Sequence, residues 1–273
     1  MIEIKSVESQ SELNELKEAY FKQSTAPLDG MWHFGFVPMA THCFFYLENH
    51  LVGFCCINDE GYMLQFYLLP NCQKYEKHLF TRLAKQKNTV IGKIKGAFVS
   101  TAEPHYLSLC LDNSSTITVN ALMYHHSIEA SEKCNKTANM QSVTIEQLAE
   151  LVDFSTTNID APKQWLEGYY HILISRKELF GYWNNQELLA VGECRKFDHF
   201  QTDYAEVGMI VSKNKRGQGI AKQVLNYLVK HATKQGLSVI CSTENQNIPA
   251  QKAISDVGFI PYHRIVQFEF NQK

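Results

Sequence analysis

A chain of 273 residues is long for one small domain and suits two of roughly 130 residues each. Hydrophobic residues make up 45% and charged residues 20%, and 26 Lys and Arg stand against 28 Asp and Glu. This composition excludes a disordered chain, and with 12 Lys/Arg against 14 Asp/Glu in residues 1–138 and 14 against 14 in 139–273, neither half has the charge of a nucleic-acid binder.

The opening Met1-Ile2-Glu3-Ile4-Lys5 has no basic stretch leading into an apolar one, and no apolar run approaches the ~20 residues that cross a bilayer. A cytoplasmic protein without a membrane partner is expected. Ser6–Leu13 opens a helix with polar capping residues. Trp32, His33, Phe34 and Phe36 form an aromatic cluster suited to core packing or to a pocket wall. Residues 43–57 predict a strand, a polar turn and a second strand carrying Gly53. Tyr62–Leu69 reads as a strand and Pro70–Lys77 as a polar loop without glycine. A helix over Lys77–Lys87 and a strand over Gly96–Thr101 follow. The polar stretch Ser131–Asn139 has no periodicity and divides the chain into 1–135 and 136–273.

The second half repeats this order, as a tandem duplication would. Ser142–Leu148 opens a helix as Ser6–Leu13 does. Trp165 and Tyr169 lie one helical turn apart and should share a face. Residues 179–194 predict a hairpin, with Gly192 in the place of Gly53. A strand over Ala205–Val211, a helix over Gly219–Lys234 and a strand over Leu237–Thr243 follow. Each half should therefore form a mixed sheet with helices on both faces. The eight cysteines form no C-x-x-C pair and mostly sit in apolar runs, so buried free thiols and no zinc site are expected.

Glu206–Val224 is the most informative segment. The strand Val207–Val211 leads into a polar loop, then Arg216-Gly217-Gln218-Gly219-Ile220-Ala221, then a helix with Ile220, Val224, Leu225, Leu228, Val229 and Ala232 on one face. A helix N-terminus offers unpaired N–H groups and about half a positive charge, which together bind phosphate. Gly217 and Gly219 would let the backbone approach a ligand, and Arg216 has a fork suited to phosphate oxygens. Lys213, Lys215 and Lys222 add positive charge with no acid among them. Two glycines at a helix start also suit a plain turn. No Lys-Ser/Thr follows, as a nucleotide P-loop would require.

Val211-x-x-x-x-Arg216-Gly217-Gln218-Gly219-Ile220-Ala221 resembles motif A of the GNAT acyltransferases, and Asn247-Ile248-Pro249-Ala250 with Val257-Gly258-Phe259 resembles their motif B. The resemblance covers about residues 179–270. It implies two tandem GNAT-like domains of the α/β (α+β) class, each a mixed, mostly antiparallel twisted sheet flanked by helices. The first half, whose phosphate loop lacks glycine, would be degenerate. The second would hold acetyl-CoA on Arg216, Gly217, Gln218, Gly219, Ile220 and Ala221. The pantetheine arm would lie in a gap between splayed strands, against the backbone of Met209, Ile210 and Val211, with Asn247 facing the same cleft. The implied reaction is direct acetyl transfer from acetyl-CoA to a primary amine of a small molecule, without a metal. Glu206 is the leading general base. Glu193 and Glu244 are second choices, as bases or as partners of a substrate cation. A backbone N–H near Ile210 would be the oxyanion donor. The family's usual proton-donating tyrosine is replaced by Ile254, and Tyr262 is the substitute in sequence. A protein or peptide amine, an oxygen acceptor, and a non-catalytic CoA-binding module are the alternatives. The acceptor and the oligomeric state are not encoded in any recognisable motif.

Overall fold

The computed structural model describes residues 2–85, 89–127 and 136–271. Residues 131–135 of the expected boundary, the end of the helix expected over 77–87, and Cys134 lie outside them. The chain forms two compact units, Met1–Leu122 with His263–Lys273, and Met123–Tyr262.

The first unit contains β1 (Ile2–Ser6), α1 (Gln10–Gln23), β2 (Thr41–Leu47), β3 (His50–Ile57), β4 (Tyr62–Leu68), α2 (Glu76–Lys85), β5 (Gly96–Ser100) and α3 (Pro104–Asn113). Ser9 caps α1 by accepting the Glu12 N–H, the kind of polar start the sequence signals. β1 to β4 pair antiparallel in chain order, and β4 pairs β5 in parallel. Phe45, Phe66, Phe80, Leu79, Tyr106 and Phe268 fill the core on the α2–α3 side. In the aromatic cluster near residue 32, Trp32 lies 5.1 Å from Phe98 and 5.3 Å from Phe36, centroid to centroid, and Phe36 is 45% exposed.

β6 (Ser114–His126) ends in the second unit, and β12 (Phe259–Phe270) begins there and ends in the first. Between them come β7 (Gln141–Ser142), α4 (Leu148–Asn158), α5 (Lys163–Ser175), β8 (Leu179–Asn184), β9 (Glu187–Lys196), β10 (Tyr204–Val211), α6 (Ile220–Thr233), β11 (Ser238–Glu244) and α7 (Ile248–Ser255). A capping box between Thr144 and Gln147 starts the helical segment that leads into α4. The order β6-β11-β10-β9-β8-β7 places β10 in the middle, parallel to β11 and antiparallel to β9. α6 packs on β9 and β10. Its approach depends on Gly192, where a Cβ would come within 2.9–3.2 Å of Met140, Val224 and Leu228. Both units thus have the mixed, mostly antiparallel sheet and flanking helices expected. The seven described cysteines are buried.

Candidate active site

In the antiparallel ladder, Arg195 of β9 lies opposite Glu206 of β10, and Glu193 lies opposite Gly208. Residues two apart on a strand point to the same face, so all four positions share one. Arg195 Nη2 donates to Glu206 Oε2 at 2.8 Å, and Nη1 reaches Glu193 Oε2 at 3.1 Å and Tyr169 Oη at 2.6 Å. Tyr169, on α5, donates its hydroxyl to Glu193 Oε2 at 2.8 Å. Burial pushes the Tyr169 pKa up and keeps the hydroxyl protonated. Glu206 is 1% exposed and Arg195 5%. Two carboxylates share one guanidinium here, and buried charges survive only when paired and hydrogen-bonded. A Cβ on Gly208 would meet nothing nearer than Glu193 Oε2 at 3.6 Å, so the missing side chain leaves room beside that carboxylate. Trp165 stacks on Tyr169, with centroids 4.8 Å apart and rings inclined by 15°, the shared helix face the sequence predicts.

The second feature is an opening in the sheet. β10 and β11 pair only at Tyr204–Ser238, Ala205–Val239 and Glu206–Ile240. Beyond Glu206, β10 runs on to Val211 along β9, and β11 runs on to Glu244. The strands therefore part just past the carboxylate, and Gly208, Met209, Ile210 and Val211 are half-exposed along the gap. Glu206 sits at the closed end of this splay and Ile210 about 13 Å further along β10.

The third feature is the loop beyond the open end. Gly217 and Gly219 have φ of 76° and 77°, a left-handed conformation that glycine adopts without penalty, and Gly219 is the N-cap of α6. A Cβ at either would meet nothing within 4 Å, so both leave an exposed hollow before the helix. The helix's ladder begins with Gln223 N–H on the Gly219 carbonyl, which leaves the preceding N–H groups of the first turn without intrahelical partners. Such a hollow fits a pyrophosphate. The basic residues around it are partly committed. Arg216 Nη2 donates to the Asn158 carbonyl at 2.9 Å, and Lys215 pairs with Glu187 at 3.1 Å. Lys222 pairs with Asp256.

The other sequence candidates stand apart from the carboxylates. Glu244 is exposed at the end of β11, four residues beyond Ile240, the partner of Glu206, or about 13 Å along the strand. Asn247 caps α7, its Oδ1 accepting the Ala250 N–H at 3.2 Å. Ile254 is buried and supplies no proton donor. Tyr262 is 64% exposed on β12, three strands from β10 in the order β12-β6-β11-β10. The structure does not bring Tyr262 to Glu206. Sequence reasoning missed Arg195 and Asn158. A charged pair two apart in an otherwise apolar strand, Glu193 and Arg195, was the available signal for the first. Among the described residues no group of three or more His, Cys, Asp or Glu is arranged to hold a metal.

Residues 9–127 match the acetyltransferase (GNAT) domain and residues 145–259 the acetyltransferase (GNAT) family. A solved acetyltransferase of the GNAT family from Colwellia psychrerythraea is 57% identical, with a TM-score of 0.93 over 98% of this chain and 100% of its own. A tandem GNAT protein from the clavulanic acid biosynthesis pathway is similar in fold alone, at 13% identity and a TM-score of 0.63 over 98% of each chain. A GCN5-related N-acetyltransferase from Sphaerobacter thermophilus is likewise similar in fold, at 9% identity and a TM-score of 0.63 over 100% of this chain and 96% of its own. No curated protein matches the chain.

Proposed function

The chain belongs to the GNAT family and is an acetyltransferase, and from that premise we propose that it transfers the acetyl group of acetyl-CoA directly to a primary amine of a small molecule. The observation that carries this reading is the parting of β10 and β11 immediately past Glu206, with the glycine hollow of α6 beyond its open end. Bound acetyl-CoA supplies an activated thioester carbonyl.

The protein's residues then have separable tasks. The hollow formed by Gly217, Gln218 and Gly219, with the N–H groups of Ile220 and Ala221, holds the pyrophosphate. The backbone of Met209, Ile210 and Val211 lines the pantetheine arm, and an N–H near Ile210 receives the negative charge that develops on the carbonyl oxygen. An alkylamine is mostly protonated at neutral pH, since its pKa is near ~10. Glu206 takes the ammonium proton, through water given its depth and its distance from Ile210, and the neutral nitrogen attacks. The C–N bond forms, the nitrogen gives its second proton to water in the gap, the C–S bond breaks, and the thiolate leaves. With Ile254 in the usual tyrosine's place and Tyr262 distant, solvent supplies the thiolate's proton.

The test is thermal melting of the purified protein with and without acetyl-CoA, in wild type and Gly219→Glu. At a ligand concentration of 100 Kd, binding adds about 2.7 kcal/mol, a rise of several degrees in Tm. The rise should vanish in the variant, whose side chain would project a carboxylate into the anion hollow from a left-handed position. No rise in the folded wild type would defeat the proposal. A positive result leads to an amine screen with thiol release as the signal.

A further inference from the structure

We infer that Asn158, the last residue of α4, is a positioning residue for acyl-donor binding, an inference that rests on the reading of the glycine loop as the pyrophosphate site. Its two backbone and side-chain oxygens reach both sides of the loop's entry. Oδ1 accepts the Lys213 N–H at 2.7 Å, where the chain leaves β10, and the main-chain carbonyl accepts Arg216 Nη2 at 2.9 Å, just before Gly217. The amide cannot rotate freely, because Nδ2 donates to the Phe154 carbonyl at 2.7 Å. This bond fixes which end of the amide faces Lys213.

Burial separates this residue from its surroundings. Asn158 is 6% exposed, whereas Lys213, Asn214 and Arg216–Gly219 are all exposed. A loop with so little burial of its own takes its shape from what it is tied to. α4 is a firm anchor, since Ser155 and Tyr170 bond hydroxyl to hydroxyl at 2.7 Å between α4 and α5, both fully buried. The C-terminus of α4 also presents its negative dipole end to the Arg216 cation. Arg216, a phosphate fork in the sequence reading, here braces the loop. Asn158 touches neither the glycines nor the N–H groups that would meet the ligand, and so acts through Lys213 and Arg216.

The experiment compares two ligands of the full chain by calorimetric titration. CoA carries the pyrophosphate; S-acetylpantetheine has the thioester and pantetheine arm without it. Asn158→Ala should weaken CoA about 5–10-fold, as the loss of one or two well-aligned hydrogen bonds would, and leave S-acetylpantetheine unchanged. A purely structural residue would not discriminate between them. Should Asn158→Ala not fold, Asn158→Ser replaces it: a serine hydroxyl bonds back to the i−4 carbonyl of Phe154 but is too short for Lys213. Equal weakening of both ligands, or no change in either, in a folded variant overturns the inference while the pyrophosphate reading stands. Failure of the wild type to bind CoA overturns both.

Discussion

Arg195 holds two carboxylates that would otherwise repel each other in a buried place, with bonds of 2.8 Å to Glu206 and 3.1 Å to Glu193. Its Nε, also buried, has no partner among the described residues. The guanidinium therefore serves the two acids without being fully satisfied itself. Arg195→Met keeps an unbranched side chain of similar reach and removes the charge. Both carboxylates then lose that cation, and the expected loss is about 3–5 kcal/mol, the usual cost of removing one partner of a buried pair. Adding Glu206→Gln to that variant removes one of the stranded charges. The double variant should be more stable than Arg195→Met alone, and urea unfolding of wild type, both single variants and the double variant reads the difference. If the double variant lost the sum of both single losses, the carboxylates would not share the guanidinium's charge.

The same pair of strands exists in each unit, with different side chains at the matching positions. In the first unit Gln65 lies opposite Cys56 and Tyr67 opposite Phe54, as Glu206 lies opposite Arg195 and Gly208 opposite Glu193. An amide stands where the acid would be, and a phenol where Gly208 leaves space. β4 and β5 also pair only at Tyr62–Gly96 and Met63–Ala97 before parting. Just past the end of β5 lies Glu103, whose Oε2 accepts the Ser100 N–H at 2.9 Å and whose Oε1 accepts the Tyr20 hydroxyl. Burial pushes the Glu103 pKa up from 4.5 to about 7. The folded state thus holds this proton in a range where the unfolded chain has released it. The stability that protonation contributes is fully present below pH 4.5 and is lost as pH rises to about 7. At ~1.4 kcal/mol per pH unit, the whole change is about 3 kcal/mol. His42, whose Nε2 lies 3.1 Å from Lys17 Nζ, acts in the opposite sense. Burial first, and then Lys17, lower its pKa to about 4, so its protonation favours the unfolded chain and stability rises with pH from 4 to 6.5. The difference between wild type and Glu103→Gln isolates the carboxyl. Unfolding free energies at pH 4.5, 5.5 and 7 should show wild type losing stability relative to the variant as pH rises, and a constant difference would rule the assignment out.

At the scale of the whole chain, the sequence made the local elements legible and left the closure of the units hidden. Gly53 and Gly192, the capping residues Ser9 and Thr144, and the strand-glycine-helix pattern of 207–224 are short-range signals, and the strands expected at 62–69, 96–101, 205–211 and 237–243 appeared within a residue or two of their places. Arg195 and Asn158 act through partners 11 to 58 residues away, which periodicity does not encode. The end of the chain is the clearest case. Reading 136–273 as one domain assigns the last strand to the second half. Yet His263–Lys273 belong to the first unit, where β12 pairs with β5 from Ile265–Ser100 to Glu269–Gly96. Val266, Phe268 and Phe270 enter the first unit's core, 7%, 0% and 2% exposed. No local pattern separates Tyr262 from His263, because the strand runs through both. A chain ending at Tyr262 should therefore damage the half that is distant in sequence. Exposing three such side chains costs roughly 4.5–9 kcal/mol at 1.5–3 kcal/mol each, before the lost ladder is counted, and a domain's whole stability is about 5–15 kcal/mol. Hydrogen exchange read by mass spectrometry should show residues 41–100 losing protection while 179–244 keep theirs. Loss of protection in 179–244 instead would mean that the second unit also depends on the final strand, and that the chain closes as one cooperative body.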